Sequence, residues 1–160
     1  MYRESTLNIG LNIHTLIGKC MNTEITLLAS LKNQLVAFLD ELVETFPNEP
    51  DFVIFRIFVQ DRIPADKIME YIVENLCPLE KEVDSKDDSF FLQRNVLFEK
   101  FDDSKSEKVN HFKTLWLSGT LDETEKDTIW RWFKRFITLG NKYSNLVQKD
   151  KECLAKVRKS

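Results

Sequence analysis

The stretch Glu24–Phe46, EITLLASLKNQLVAFLDELVETF, decides the fold class. Leu28, Leu31, Leu35, Phe38, Leu39, Leu42 and Phe46 recur at spacings of three and four, so they fall on one stripe of a helix. Asn22 and Thr23, just before it, are residue types that cap helices. Pro47-Asn48-Glu49-Pro50 ends the helix, because proline lacks an amide donor and restricts the residue before it.

The same pattern returns downstream. Asp51–Arg62, DFVIFRIFVQDR, is rich in residues that also favour strands. A helix is expected here, with Asp51 as its cap, since no other segment offers a strand to pair with. Its near-continuous apolarity, interrupted only by Arg56, predicts a central, buried helix. Ile63-Pro64 opens another helix, with Asp66 favourable in its first turn and Ile68, Met69, Ile72, Val73 and Leu76 as its apolar face, limited by Pro78. Residues 80–89 read as a surface linker or the end of a frayed helix. A dense apolar patch from Phe90 to Phe101 predicts one short helix and a turn, broken by Asp102-Asp103-Ser104. Val109, Phe112, Leu115 and Trp116 share one face of the next helix, which Ser118-Gly119-Thr120 stops. Asp122-Glu123-Thr124-Glu125 then resembles a capping box. Ile129, Trp132, Phe133, Phe136, Ile137, Gly140, Tyr143 and Val147 carry a last helix of five turns.

The expected fold is therefore all-α, a compact bundle of five or six helices whose spatial order the pattern leaves open. Only four glycines and four prolines in 160 residues agree with long, uninterrupted helices. An apolar fraction of 42% suits a packed domain rather than a disordered chain. Residues 21–148 read as a single helical domain. In residues 1–20, Asn8, Gly10, Asn12 and Gly18 break any strong period, so this part is either an upstream extension, with the native start at Met21, or a short arm. Residues 149–160 read as a basic tail, fraying from the last helix.

Charge is polarised along the chain. Between Lys32 and Arg56 every charged residue is acidic: Asp40, Glu41, Glu44, Glu49 and Asp51. From Lys142 to Ser160 there are six basic and two acidic residues. These are either ordinary solvated faces or the two halves of a head-to-tail contact with itself or a charged partner. A net charge of −3 supplies no global basic field for nucleic acid. No apolar run approaches the roughly 20 residues that span a bilayer, so no membrane is expected.

Catalytic signatures are missing. Cys20, Cys77 and Cys153 are odd in number and widely spaced, which suits neither a disulfide framework nor a zinc site. The two histidines, His14 and His111, have no signposted partner, and no base is signposted for Cys77. No glycine-rich phosphate loop, HExxH or GxSxG occurs. Asp87-Asp88 and Asp102-Asp103 are pairs of the kind common in linkers. No enzyme activity, metal or cofactor is expected.

The run Trp130-Arg131-Trp132-Phe133-Lys134-Arg135 mixes aromatic rings with cations, as a nucleic-acid stacking platform would. Helical spacing splits it: Trp132 and Phe133 join the core face, while Trp130, Arg131, Lys134 and Arg135 fall elsewhere. Trp130 is either covered by a neighbouring helix or exposed. If exposed, it is a candidate interaction residue, with Arg131, Lys134 and Arg135 as rim contacts.

The segment from LKNQLVAFLDELVETFPNEPDFVIFRIFVQDRIP through NVLFEKF, KVNHFKTLW and SGTLDETEKDTIWRWF to FITLGNKY resembles a group of short proteins predicted in the genomes of large nucleocytoplasmic DNA viruses, the giant viruses and their relatives. The likeness runs from about Leu31 to Tyr143, and KVNHFKTLW with SGTLDETEKDTIWRWF is its most specific part. Residues 1–20 and the basic tail lie outside it. No catalytic residue is carried over from that group. The resemblance implies a viral protein of the infected host cell, located in the cytoplasm, the virus factory or the virion. The expected role is non-enzymatic: contact with a viral or host protein, or with further copies of itself, as a minor virion component or an assembly or host-interaction factor. The alternative is a nucleic-acid-associated accessory protein of viral replication or transcription that uses the basic C-terminal residues.

Overall fold

A computed structural model of the chain describes the backbone of residues 2–89 and 114–159 and the side chains of residues 22–89 and 114–156. Among these residues all regular structure is helical. Helix α1 spans Tyr2–Thr45, α2 Pro50–Asp61, α3 Ala65–Tyr71, α4 Glu80–Asp84 and α5 Glu123–Lys159, and residues 114–117 are also helical. The predicted apolar patch at 90–101, its stop at 102–104, and Val109, His111 and Phe112 lie outside the described residues, as do the side chains of His14 and Cys20.

Helix α1 passes straight through the expected start. Asn22 and Thr23 do not cap it; instead the Thr26 hydroxyl donates to the Asn22 carbonyl one turn back. An isolated glycine costs a helix only about 1 kcal/mol relative to alanine, less than a fresh nucleation requires, so Gly10 and Gly18 do not end it. Phe46 and Glu49 close the following turn through a 3.1 Å amide–carbonyl bond, and Phe46 meets Phe52 with ring centroids 5.6 Å apart. Arg56 pairs with Asp40 across the same hairpin, so α2 runs back antiparallel along α1.

Pro78 bends the next helix without ending it. The proline ring crowds the carbonyl four residues back and offers no amide to it. The chain responds with a π turn over Ile72–Leu76 and a 3-10 turn over Cys77–Leu79, then resumes as α4. Leu79 and Val83 are buried, so the first half of the expected linker is structural. The chain leaves α4 at Lys86, in the left-handed region at φ 53°.

Helix α5 is the axis of the packing. Its start is the capping box read from sequence: the Glu125 amide donates to Asp122 Oδ1 at 2.7 Å, and the Asp122 amide donates to Glu125 Oε2 at 3.1 Å. Gly119, at φ 76°, supplies the reversal just before it. Trp132 Nε1 donates to Glu41 Oε2 at 2.7 Å, and the Asp150 carboxyl lies close enough to that of Glu24 to raise its pKa. Those two ties set α1 and α5 antiparallel. On the other side Lys86 reaches Asp127 at 2.8 Å, Lys134 reaches Glu80 at 2.8 Å, and Cys77 lies against Ile137. The segment from α3 to α4 is therefore antiparallel to α5 as well.

Three runs of chain thus share one apolar core. Leu31, Leu39, Val59, Met69, Trp116, Phe133 and Ile137 are its most enclosed side chains. Phe38 sits at its centre, with ring centroids 5.8 Å from Trp132, 6.0 Å from Phe133 and 5.8 Å from Phe136. Among the described residues no polar or charged residue is buried. No helix among them is long and apolar enough to cross a membrane.

Candidate interaction surface

The aromatic–cation run on α5 is tied to its own chain. Trp130 is only 4% exposed, its ring edge-on to Trp116 at 5.7 Å between centroids. The reading in which a neighbouring segment covers it holds, and the exposed alternative is corrected. A single stripe is too narrow a description of α5: its buried arc takes in Ile129, Trp130, Trp132, Phe133, Phe136, Ile137 and Leu139, because the helix has neighbours on more than one side. Lys134 binds Glu80 and Asp84, and both carboxylates raise the pKa of its ammonium. Arg135 lies 4.9 Å over the Trp132 ring. Arg131 is exposed and adds to the field that, with Lys86, holds the Asp127 carboxyl below its usual range.

Among the described residues, the side chains weighed for chemistry are not brought together. Cys77 is half-buried; burial and the neighbouring Glu80 push its thiol pKa up, which disfavours the thiolate a nucleophile needs. Its Sγ lies 3.7 Å from the Ile137 carbonyl, a packing position. Cys153 is exposed. Asp87 accepts hydrogen bonds from the amide and hydroxyl of Ser89, a local turn. No group of three or more metal-ligating side chains gathers among the described residues. Asp102-Asp103 lies outside them. A small depression between α1 and the start of α5, lined by Phe38, Leu42, Leu121 and Ile129 with Glu41 and Glu125 at its edge, holds about 80 Å³. Substrate pockets hold several hundred.

The unusual surface is on α2. Phe52 and Val59 face α1 and are buried. The opposite face carries Val53, 42% exposed, Ile54, 56%, Ile57, 50%, and Phe58, 37%. The expectation that α2 is central and buried is therefore corrected. The turn at Phe46–Glu49 and the break at Arg62–Pro64 hold α2 against the side of α1, so only one face reaches the core. Seven large hydrophobic residues are exposed among the described residues, and four of them are these. Ile25, Leu117 and Leu154 are far apart in sequence; scattered single apolar residues are ordinary on a surface, whereas a contiguous set marks a contact.

Sequence pattern alone overlooked this stripe, yet its signal was present. Apolar residues at 52, 53, 54, 55, 57, 58 and 59 cover more than one face of a helix, and a short helix at the edge of a fold has only one face to bury. No protein-family model, curated protein or solved structure matches the chain.

Proposed function

We propose that the protein acts by contact with other protein chains rather than by catalysis, and that the outer face of α2 is the contact surface. The observation that carries this reading is the exposed stripe Val53, Ile54, Ile57 and Phe58. An apolar face of a helix docked into a partner surface is a recurrent recognition mode, with anchors at spacings of three and four. The resemblance to proteins of large DNA viruses directs the search for partners to infected cells, where a minor virion component or an assembly or host-interaction factor would act.

The nucleic-acid alternative has less support. Lys134 is held by two carboxylates and Arg135 is stacked on Trp132, which leaves that reading to the basic end of α5.

A photo-crosslinking amino acid placed at position 54 tests the proposal, with the same group at exposed position 67 on α3 as the control. Discrete protein adducts from position 54 and none from position 67 support the stripe as a contact surface. Equal, diffuse labelling from both positions overturns it.

A further inference from the structure

The α2 stripe is complementary to itself, and we infer that it pairs two copies of this chain through an antiparallel, two-fold α2–α2 contact. This rests on the reading of α2 as a contact face and names the occupant.

A symmetric antiparallel pair centred between Phe55 and Arg56 sets Ile54 level with the second copy's Ile57; Phe58, on one edge, then lies beside the second copy's Ile54, and Val53, on the other edge, beside the second copy's Ile57. Every exposed apolar residue of the stripe then meets another. Along one edge of the stripe lie Asp51, in the first turn of α2, and Arg62, just past its last turn. They are separated by roughly 17 Å at 1.5 Å per residue. In the two-fold arrangement an edge of one helix stays beside the same edge of the other, but reversed. Asp51 of each copy therefore comes within about 3 Å, measured along the axis, of the level of the other copy's Arg62 on the same edge, within reach of an ion pair, which makes two opposite-charge pairs flanking an apolar centre. Among the described residues neither Asp51 nor Arg62 is in an ion pair of its own chain. Arg56, by contrast, is engaged by Asp40 and Gln60 on the side toward α1.

The same charges speak against a lipid surface. Amphipathic helices that lie on anionic membranes carry lysine and arginine on their polar face, whereas this stripe is bordered by Asp51 and Asp61 with Arg62 alone as a cation. The acidic set Asp40, Glu41 and Glu44 lies on the adjoining helix α1.

Size sets the strength. The four side chains present on the order of 300 Å² of apolar surface per copy, which places the contact among small, concentration-dependent interfaces. The experiment is therefore sedimentation equilibrium of the full chain from about 1 μM to about 1 mM. The weight-average mass is expected to climb from 18.9 kDa toward twice that value. The double variant Ile54→Glu, Ile57→Glu should stay monomeric throughout. Asp51→Arg alone and Arg62→Asp alone each set like charges together, and should weaken association at least tenfold. An equimolar mixture of those two single variants should regain it, since both charge pairs of the mixed dimer are then complementary. Circular dichroism confirms that each variant is folded. Restoration by mixing is specific to the antiparallel contact. A wild-type chain that stays monomeric at every concentration overturns the inference, as does a dimer indifferent to the stripe or not restored by mixing. If the wild type is monomeric while position 54 still crosslinks a different protein, self-pairing is wrong and the contact reading stands.

Discussion

Gly140→Ala should destabilise the protein although it improves the helix. Gly140 lies in the middle of α5, where alanine is favoured over glycine by about 1 kcal/mol. A methyl group there, however, would stand 2.6 Å from Cys77 Sγ and 3.1 Å from Ile72 Cγ2. Ordinary carbon contacts lie at about 3.5–4.0 Å, so the sulfur would have to retreat by roughly 1 Å. The room for that is small. Cys77 follows directly on the π turn, and Sγ is held against the Ile137 carbonyl on α5 itself. Overpacking of this kind costs about 1–3 kcal/mol. The net expectation is a loss of up to about 2 kcal/mol, read as a lower midpoint in urea at unchanged slope, with tryptophan fluorescence as the probe. The decisive comparison is the same substitution after Cys77→Ala. With Sγ gone, the one tight contact left is the 3.1 Å approach to Ile72, beside an ordinary 3.6 Å contact to Val73, and Gly140→Ala should become neutral or stabilising by up to about 1 kcal/mol. The two effects should differ by about 1–3 kcal/mol, a coupling that contacting residues show and distant ones do not. A stabilising Gly140→Ala in the native background, or the same change in both backgrounds, refutes the reasoning.

Trp130→Ala should cost about 3–5 kcal/mol, as truncating a core aromatic does, which thermal melting would register as a fall of many degrees; a change under about 1 kcal/mol would place that ring outside the core. Asp122→Ala removes one half of the capping box and should cost about 1 kcal/mol, with Asp122→Asn losing much less. Glu24→Gln should raise stability at neutral pH. The hydrogen bond to Asp150, burial and the Asp150 charge all raise the Glu24 pKa, so its contribution is fullest while it is protonated, below the ordinary glutamate range, and is lost as pH rises through the elevated folded value. Glutamine keeps the hydrogen bond without the titration, so the variant's melting temperature should vary less with pH across that range, and an unchanged slope would count against the pairing.

Legibility followed the range of the forces involved. The capping box at Asp122–Glu125 was readable because it depends on four consecutive residues, and the structure realises both of its hydrogen bonds. The all-α class was readable because the stripe from Leu31 to Phe46 has one period throughout. Pro78 was misread as a stop because the stabilisation that carries a helix across a proline lies elsewhere: Leu76, Leu79 and Val83 are buried and hold both sides of the distortion against the core. Trp130 could not be placed from its own helix, since its cover, Trp116, arrives from another segment. The same limit applied to α2. Its apolarity was visible, but whether that surface meets the protein's own core or another chain depends on where two short connections hold the helix.

The choice of residues on that outer face carries its own argument. Val53, Ile54 and Ile57 are β-branched, and on an exposed helix position each is less favourable than alanine or lysine by a few tenths of a kcal/mol. Their exposure in a lone chain therefore carries a cost in propensity as well as in hydration. A core residue cannot be exchanged for a charged one without loss of the fold. A contact residue can, and the exchange should separate two quantities that move together in a core. Ile54→Glu and Ile57→Glu are expected to leave the melting temperature of the dilute monomer unchanged or slightly higher, while association falls. If both fall together, the stripe belongs to the stability of the single chain, and the self-complementary register of Asp51 and Arg62 loses its purpose.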